Sequence, residues 1–111
     1  MMNNAEINKS LNNISKLDKL RNLDDRIHEA FEVVDGYRDC FCDAEARNAA
    51  EGKLCDIEKN FAKRKEITSD SYFDDVRSVF LEYEEACLKL VKSYRKEMAL
   101  CAALAYDTKS K

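Results

Sequence analysis

The 111-residue chain has no proline, no tryptophan and only two glycines, Gly36 and Gly52. Folds rich in β-strands need tight turns every 8–12 residues or so, and those turns draw heavily on Gly and Pro. Their scarcity excludes a sandwich, a barrel or a doubly wound α/β fold and leaves a few long helices. No apolar run approaches the roughly 18–20 residues of a membrane span, so no membrane partner is expected. A basic surplus is missing as well: 19 Lys and Arg stand against 22 Asp and Glu, a net charge of -3. Direct nucleic-acid binding normally requires excess cations that neutralise phosphates, and it is not expected here. Two isolated glycines build neither a G-x-x-x-x-G-K-[ST] loop nor a G-x-G-x-x-G turn. The opening stretch, Met1-Met2-Asn3-Asn4-Ala5-Glu6, lacks the basic segment and apolar run of a secretory signal, which sets the expectation of a cytoplasmic protein.

What the chain does have is apolar content, 45% of its residues, set out at helical spacing. In the C-terminal third, Phe73, Phe80, Cys87, Tyr94 and Cys101 recur every seven residues, with Val76, Tyr83, Leu90, Glu97 and Leu104 as the second row of a heptad. Val79, Ala86 and Leu100 widen that stripe, which suits a multi-helix bundle better than a two-stranded coil. Thr68-Ser69-Asp70-Ser71 supplies N-cap residues, and Ser71 followed by Asp74 resembles a capping box. In the middle, Phe41, Ala44, Ala50, Leu54, Ile57 and Phe61 predict a helix that continues through Gly52, its end rich in Lys59, Lys63, Arg64 and Lys65. The first third carries Ile7, Leu11, Ile14, Leu17, Leu20, Leu23, Ile27, Phe31 and Val34 at steps of three or four. Asp24 is a candidate break there, and Gly36 the better stop, because glycine accepts the left-handed conformation that ends many helices. The expectation is one all-α domain over residues 1–111. It is an antiparallel bundle of about three long helices with a coiled-coil-like seam, over about 4–35, 38–66 and 71–106, with a frayed tail at 107–111.

Five cysteines, Cys40, Cys42, Cys55, Cys87 and Cys101, invite a metal or a disulfide reading. Cys40-x-Cys42 has the wrong spacing for a zinc knuckle, and no second pair accompanies it, so no metal and no cofactor is expected. Folding 38–66 back on 70–106 places Cys55 opposite Cys87 and Cys40 opposite Cys101 in one register centred near residue 71. These four are either disulfide-forming or buried thiols; reduced cysteine packs as a small hydrophobe, and a compartment without export keeps it reduced. Cys42, Cys55, Cys87 and the stretch Phe80-Leu81-Glu82-Tyr83 superficially resemble periplasmic lysozyme-inhibitor-like helical domains, which would imply an exported, disulfide-stapled inhibitor.

Candidate chemistry is sparse. His28 is the single histidine; Asp25-x-x-His28 shares one helical face, but a di-iron carboxylate site needs a second such pair. A surface histidine beside Glu29 and Glu32 is the expectation, and no enzyme activity. The best candidates for binding are Leu81 and Leu88, seven apart, with Asp70, Asp74, Asp75, Glu82, Glu84 and Glu85 around them. This acidic block of 70–85 contains one base, Arg77, and would steer a protein partner with a basic surface. The function expected is therefore a small acidic protein-binding module, adaptor or inhibitor, that occludes a partner's surface. In size and charge it is similar to inhibitors of host defence encoded by phages and mobile elements, anti-CRISPR proteins among them. A homo-oligomeric coiled-coil scaffold is the alternative that the seam suggests.

Overall fold

The computed structural model describes residues 3–110, with side chains through Ala105. Three helices, α1 (Asn4–Tyr37), α2 (Ala44–Thr68) and α3 (Arg77–Ser110), are joined by two reversals built on 3-10 turns, Arg38–Cys40 and Ser71–Val76. Arg64 of α2 meets Asp24 of α1, while Phe61 meets Tyr83 and Phe41 meets Tyr94 of α3, so successive helices run antiparallel. The architecture is all-α, as the shortage of turn residues implies. Among the described residues no helix is long and apolar enough to cross a membrane.

Local chemistry sets the helix ends, and several lie elsewhere than expected. A reciprocal capping box opens α1: Glu6 N–H donates to the Asn3 side chain at 2.8 Å, and Asn3 N–H donates to the Glu6 carboxylate at 3.3 Å. The helix passes Asp24 unbroken and passes Gly36 as well, ending at Tyr37. No described residue has a positive φ, so Gly36 is not used as a left-handed stop; α1 ends by tightening into the 3-10 turn that buries Phe41. Residues 38–43 therefore belong to the reversal, and α2 starts at Ala44 behind Asp43, whose carboxylate accepts from Glu45 N–H at 3.2 Å. It is continuous through Gly52 to Thr68. At the second reversal the Ser71–Asp74 box does not form. Asp70 is the cap, accepting from Tyr72 N–H at 2.9 Å, and Asp74 pairs with Arg77 at 2.7 Å. Arg77 also donates to the carbonyls of Thr68 and Asp70 at 3.0–3.1 Å, holding the six-residue 3-10 turn in place. The α-helix thus starts at Arg77 rather than 71. It runs to Ser110, past the tail expected from Asp107, since nothing in Asp107-Thr108-Lys109-Ser110 breaks a helix; Lys111 lies outside the described residues.

The main interface lies between α1 and α2, and α3 packs more lightly across them. Ile27, Val34, Leu54 and Ile57 are fully buried, with Phe41, Phe61 and Val91 close behind. Each such side chain contributes about 1.5–3 kcal/mol of transfer free energy. Arg64 is buried among them, its guanidinium 2.8 Å from Asp24 and stacked over the rings of Phe80 and Tyr83 at 4.6 and 5.1 Å. This one side chain ties all three helices together.

The expected seam of α3 splits in two. Phe73 and Tyr94 are buried and Phe80, Cys87 and Cys101 half-buried, so this row faces the other helices, joined there by Val91 and Met98. In the companion row Val76, Leu90 and Leu104 are exposed, whereas the Tyr83 ring, itself partly exposed, lies against Phe61 and Arg64, and Glu97 is half-buried and paired with Arg38. The apolar stripe of α3 is wider than the surface α2 offers, and only one margin of it is covered. The molecule is correspondingly long, 77 × 22 × 16 Å. Its α1 projects beyond α2 at one end, and its α3 beyond the first reversal at the other.

Candidate functional site

Four of the eight candidate binding residues line one groove. Leu81 is exposed and Leu88 half-buried on the face of α3 beside α2; Glu84 and Glu85 flank them, and Lys65, Lys89 and Lys92 complete a groove of about 460 Å³. The heptad spacing of Leu81 and Leu88 puts both on one face, and α2 brings Lys65 to the opposite wall. The three lysines were not anticipated as part of the site. Lys92 follows Leu88 by four residues and Lys89 follows Glu85 by four, so the signal for both was helical spacing; Lys65 comes from another helix and carries no such signal.

The remaining acidic candidates are dispersed. Asp70 sits at the second reversal and pairs with Lys16 of α1, which holds its carboxyl below the usual carboxylate range. Asp74 is engaged by Arg77, and Glu85 by Lys89 at 3.5 Å. Asp75 and Glu82 are exposed and have no ion pair among the described residues. Three of the six carboxylates of the acidic block, Asp70, Asp74 and Glu85, are thus paired with cations of the same chain.

The five cysteines are all free thiols. Cys40 and Cys42 lie exposed on the first reversal, and Cys55, Cys87 and Cys101 are half-buried. Cys55 lies beside Arg95 and Glu51, at 3.8 and 3.6 Å. Cys87 sits with Tyr83, and burial pushes its thiol pKa up. The thiol that hydrogen-bonds with Cys101 is Cys42, two residues from the expected Cys40; burial first, then Cys42, pushes the Cys101 thiol up. Of the expected pairs, Cys101 meets Cys42 in place of Cys40, which is exposed, while Cys55 lies against Arg95 and Glu51 and Cys87 against Tyr83.

Other polar groups fasten helices together. Arg95 reaches from α3 to Glu58 at 2.6 Å and Glu51 at 2.9 Å, which raises its pKa and lowers that of Glu58. Tyr94 O–H donates to Asp35 at 3.1 Å and Arg38 pairs with Glu97 at 2.9 Å, strapping α3 to the end of α1. Tyr83, largely through burial, has its pKa pushed up to about 12. His28 is exposed and pairs with Glu32 at 3.2 Å, and the described residues include no group of three or more metal-ligating side chains. Across the back of the α1–α2 hairpin, Arg26, Lys53, Lys59 and Lys63 share a groove of about 370 Å³ with Glu29 and Asp56. Four cations thus stand there against two carboxylates.

The chain matches no protein-family model, no curated protein and no solved structure.

Proposed function

We propose that this chain is a small protein-binding module, an adaptor or inhibitor, that acts by covering part of a partner protein. One observation carries the reading: Leu81 and Leu88 make an apolar floor between carboxylates, Glu84 and Glu85, and three lysines. An apolar centre inside a charged rim is the composition of a recognition surface. The rim offers both signs, so the fitting partner presents an apolar side chain or two flanked by charges of both signs. A partner chosen by basic charge alone is less well supported, since Asp70, Asp74 and Glu85 already have cations of their own. The same holds for the defence-inhibitor version, in which residues 70–85 would cover a basic nucleic-acid channel.

The test is affinity capture from the native cell with the natural chain and with Leu81→Lys. Leu81 is 46% exposed, so the substitution leaves folding intact, as circular dichroism will verify. The expected result is a protein retained by the natural chain and lost from the variant. The same proteins retained by both would overturn the reading.

A further inference from the structure

We propose that the groove across the back of the α1–α2 hairpin binds a small phosphorylated ligand, its phosphate between Arg26 and Lys63 and its uncharged body along Ala30 and Val33. This groove shares no residue with the one around Leu81 and Leu88, and the inference goes beyond the protein-binding reading.

Two independent observations point to a ligand there. The first is charge. Arg26, Lys53, Lys59 and Lys63 stand in the groove with Glu29 and Asp56, and none of the six makes an ion pair among the described residues. Arg38, Arg64, Arg77 and Arg95, by contrast, each hold a carboxylate of the chain. The charges are also sorted along the hairpin. Arg26 and Lys63 line a second, adjoining hollow of about 250 Å³, to which Lys19 and Asn22 belong and no carboxylate does. Glu29 and Asp56 lie only in the first hollow, with Ala30 and Val33. The purely cationic end is where a phosphate is stabilised, by a guanidinium fork and an ammonium together.

The second observation is Asn60. Its side chain is only 9% exposed, lines the groove and has no hydrogen-bond partner among the described residues. No fully enclosed polar atom there lacks a partner, so the Asn60 amide opens into the groove and is free to bond a ligand. Three residues before Lys63 on α2, it shares that residue's face; its N–H donates to a phosphate oxygen and its carbonyl accepts from a hydroxyl. Size and sign then select the ligand. The hollow of about 370 Å³ falls within the roughly 300–1,000 Å³ of small-molecule sites. A nucleic-acid backbone laid along it would carry its charge past Glu29 and Asp56. A ligand with phosphate at one end brings them hydroxyl or amino hydrogens instead, as a sugar phosphate or a nucleotide does.

A ¹H–¹⁵N NMR titration at about 50 mM salt tests this, with phosphate, pyrophosphate, ribose 5-phosphate and ADP as probes. Pyrophosphate is expected to shift the signals of Arg26, Asn60 and Lys63 with a dissociation constant of about 1 mM or lower. At least one of ribose 5-phosphate and ADP extends the shifts to Ala30 and Val33, and binds at least about threefold more tightly than the bare anion it carries. Arg26→Gln with Lys63→Gln, both exposed in the fold, weakens every probe at least about tenfold. Lys92→Gln removes the same kind of charge from α3 and changes binding less than about twofold. Asn60→Asp, its fold checked by circular dichroism, weakens pyrophosphate about tenfold by setting a carboxylate against it. Pyrophosphate binding that survives the double substitution, or shifts scattered over lysines outside the groove, would overturn the proposal. So would two organic probes that both leave Ala30 and Val33 unmoved, or a DNA oligonucleotide that binds more tightly than all four probes.

Discussion

The two halves of α1 carry the same kinds of residue and meet opposite fates. Ile7, Leu11, Ile14 and Leu17 are exposed, while Leu20, Leu23, Ile27, Ala30 and Val34 are buried. Two causes act together. First, Leu11, Ile14, Leu17, Leu20 and Leu23 are spaced by three, and each such step falls about 60° short of a full turn. The apolar stripe therefore winds more than halfway round the helix, and in the first half the core-facing positions are Lys9, Asn13 and Lys16. Second, α2 ends at Thr68, so beyond Lys16 there is no helix to face; Lys16 itself reaches the Asp70 carboxylate at the reversal. Residue type decides what a helix can bury, but phase and the length of its neighbour decide what it does bury.

That contrast is open to measurement, most severely at its buried end. Ile27→Ala empties a fully enclosed site and is expected to cost about 3–4 kcal/mol in denaturant unfolding; a loss under 1 kcal/mol would mean α1 is not docked on α2. Arg64→Ala removes the cation that spans all three helices and leaves Asp24 unpaired, with an expected loss of about 3 kcal/mol. Arg95→Met tests α3 on the opposite side of α2. Its carboxylate partners are partly exposed, so the expected loss at neutral pH is about 1 kcal/mol. Glu58 has a lowered pKa in the folded protein, so its stabilisation is present above the ordinary carboxylate pKa and fades as pH falls through the lowered one. The difference in melting temperature between Arg95→Met and the natural chain should accordingly shrink on acidification below about pH 4. A difference independent of pH would show that the pair contributes through packing alone. At the exposed end of the contrast, Ile14→Ala in dilute protein should change stability by less than about 0.5 kcal/mol; a larger loss would reveal that the first half of α1 is covered.

The same physics separates what was legible in the sequence from what was not. The helices and their antiparallel order followed from apolar spacing and from the shortage of turn residues, and the continuity through Gly52 followed as well. Helix ends did not, because a 3-10 turn satisfies the same caps as an α-helix: Asp70 serves Ser71–Val76, and Asp43 takes over after the reversal at Arg38–Cys40. Gly36 misled because a glycine permits a left-handed stop without requiring one. The division of the α3 stripe was invisible for a different reason. Heptad spacing states that Phe80 and Tyr83 share a side of the helix; which margin is covered depends on the width of α2, a property of another segment. The groove was half legible: Leu81, Glu84, Glu85 and Leu88 came from one helical face, and Lys65 only from the fold.

The manner in which α3 is attached has a mechanical consequence. At its beginning Arg77 grips the carbonyls of Thr68 and Asp70; toward its far end Glu97 holds Arg38 and Tyr94 holds Asp35. Between these brackets α3 rests lightly on a two-helix spine. A bar clamped at both ends and pinned between them, by Arg64 against Phe80 and Tyr83 and by Arg95 on Glu51 and Glu58, resists both sliding along its support and rolling about its own axis.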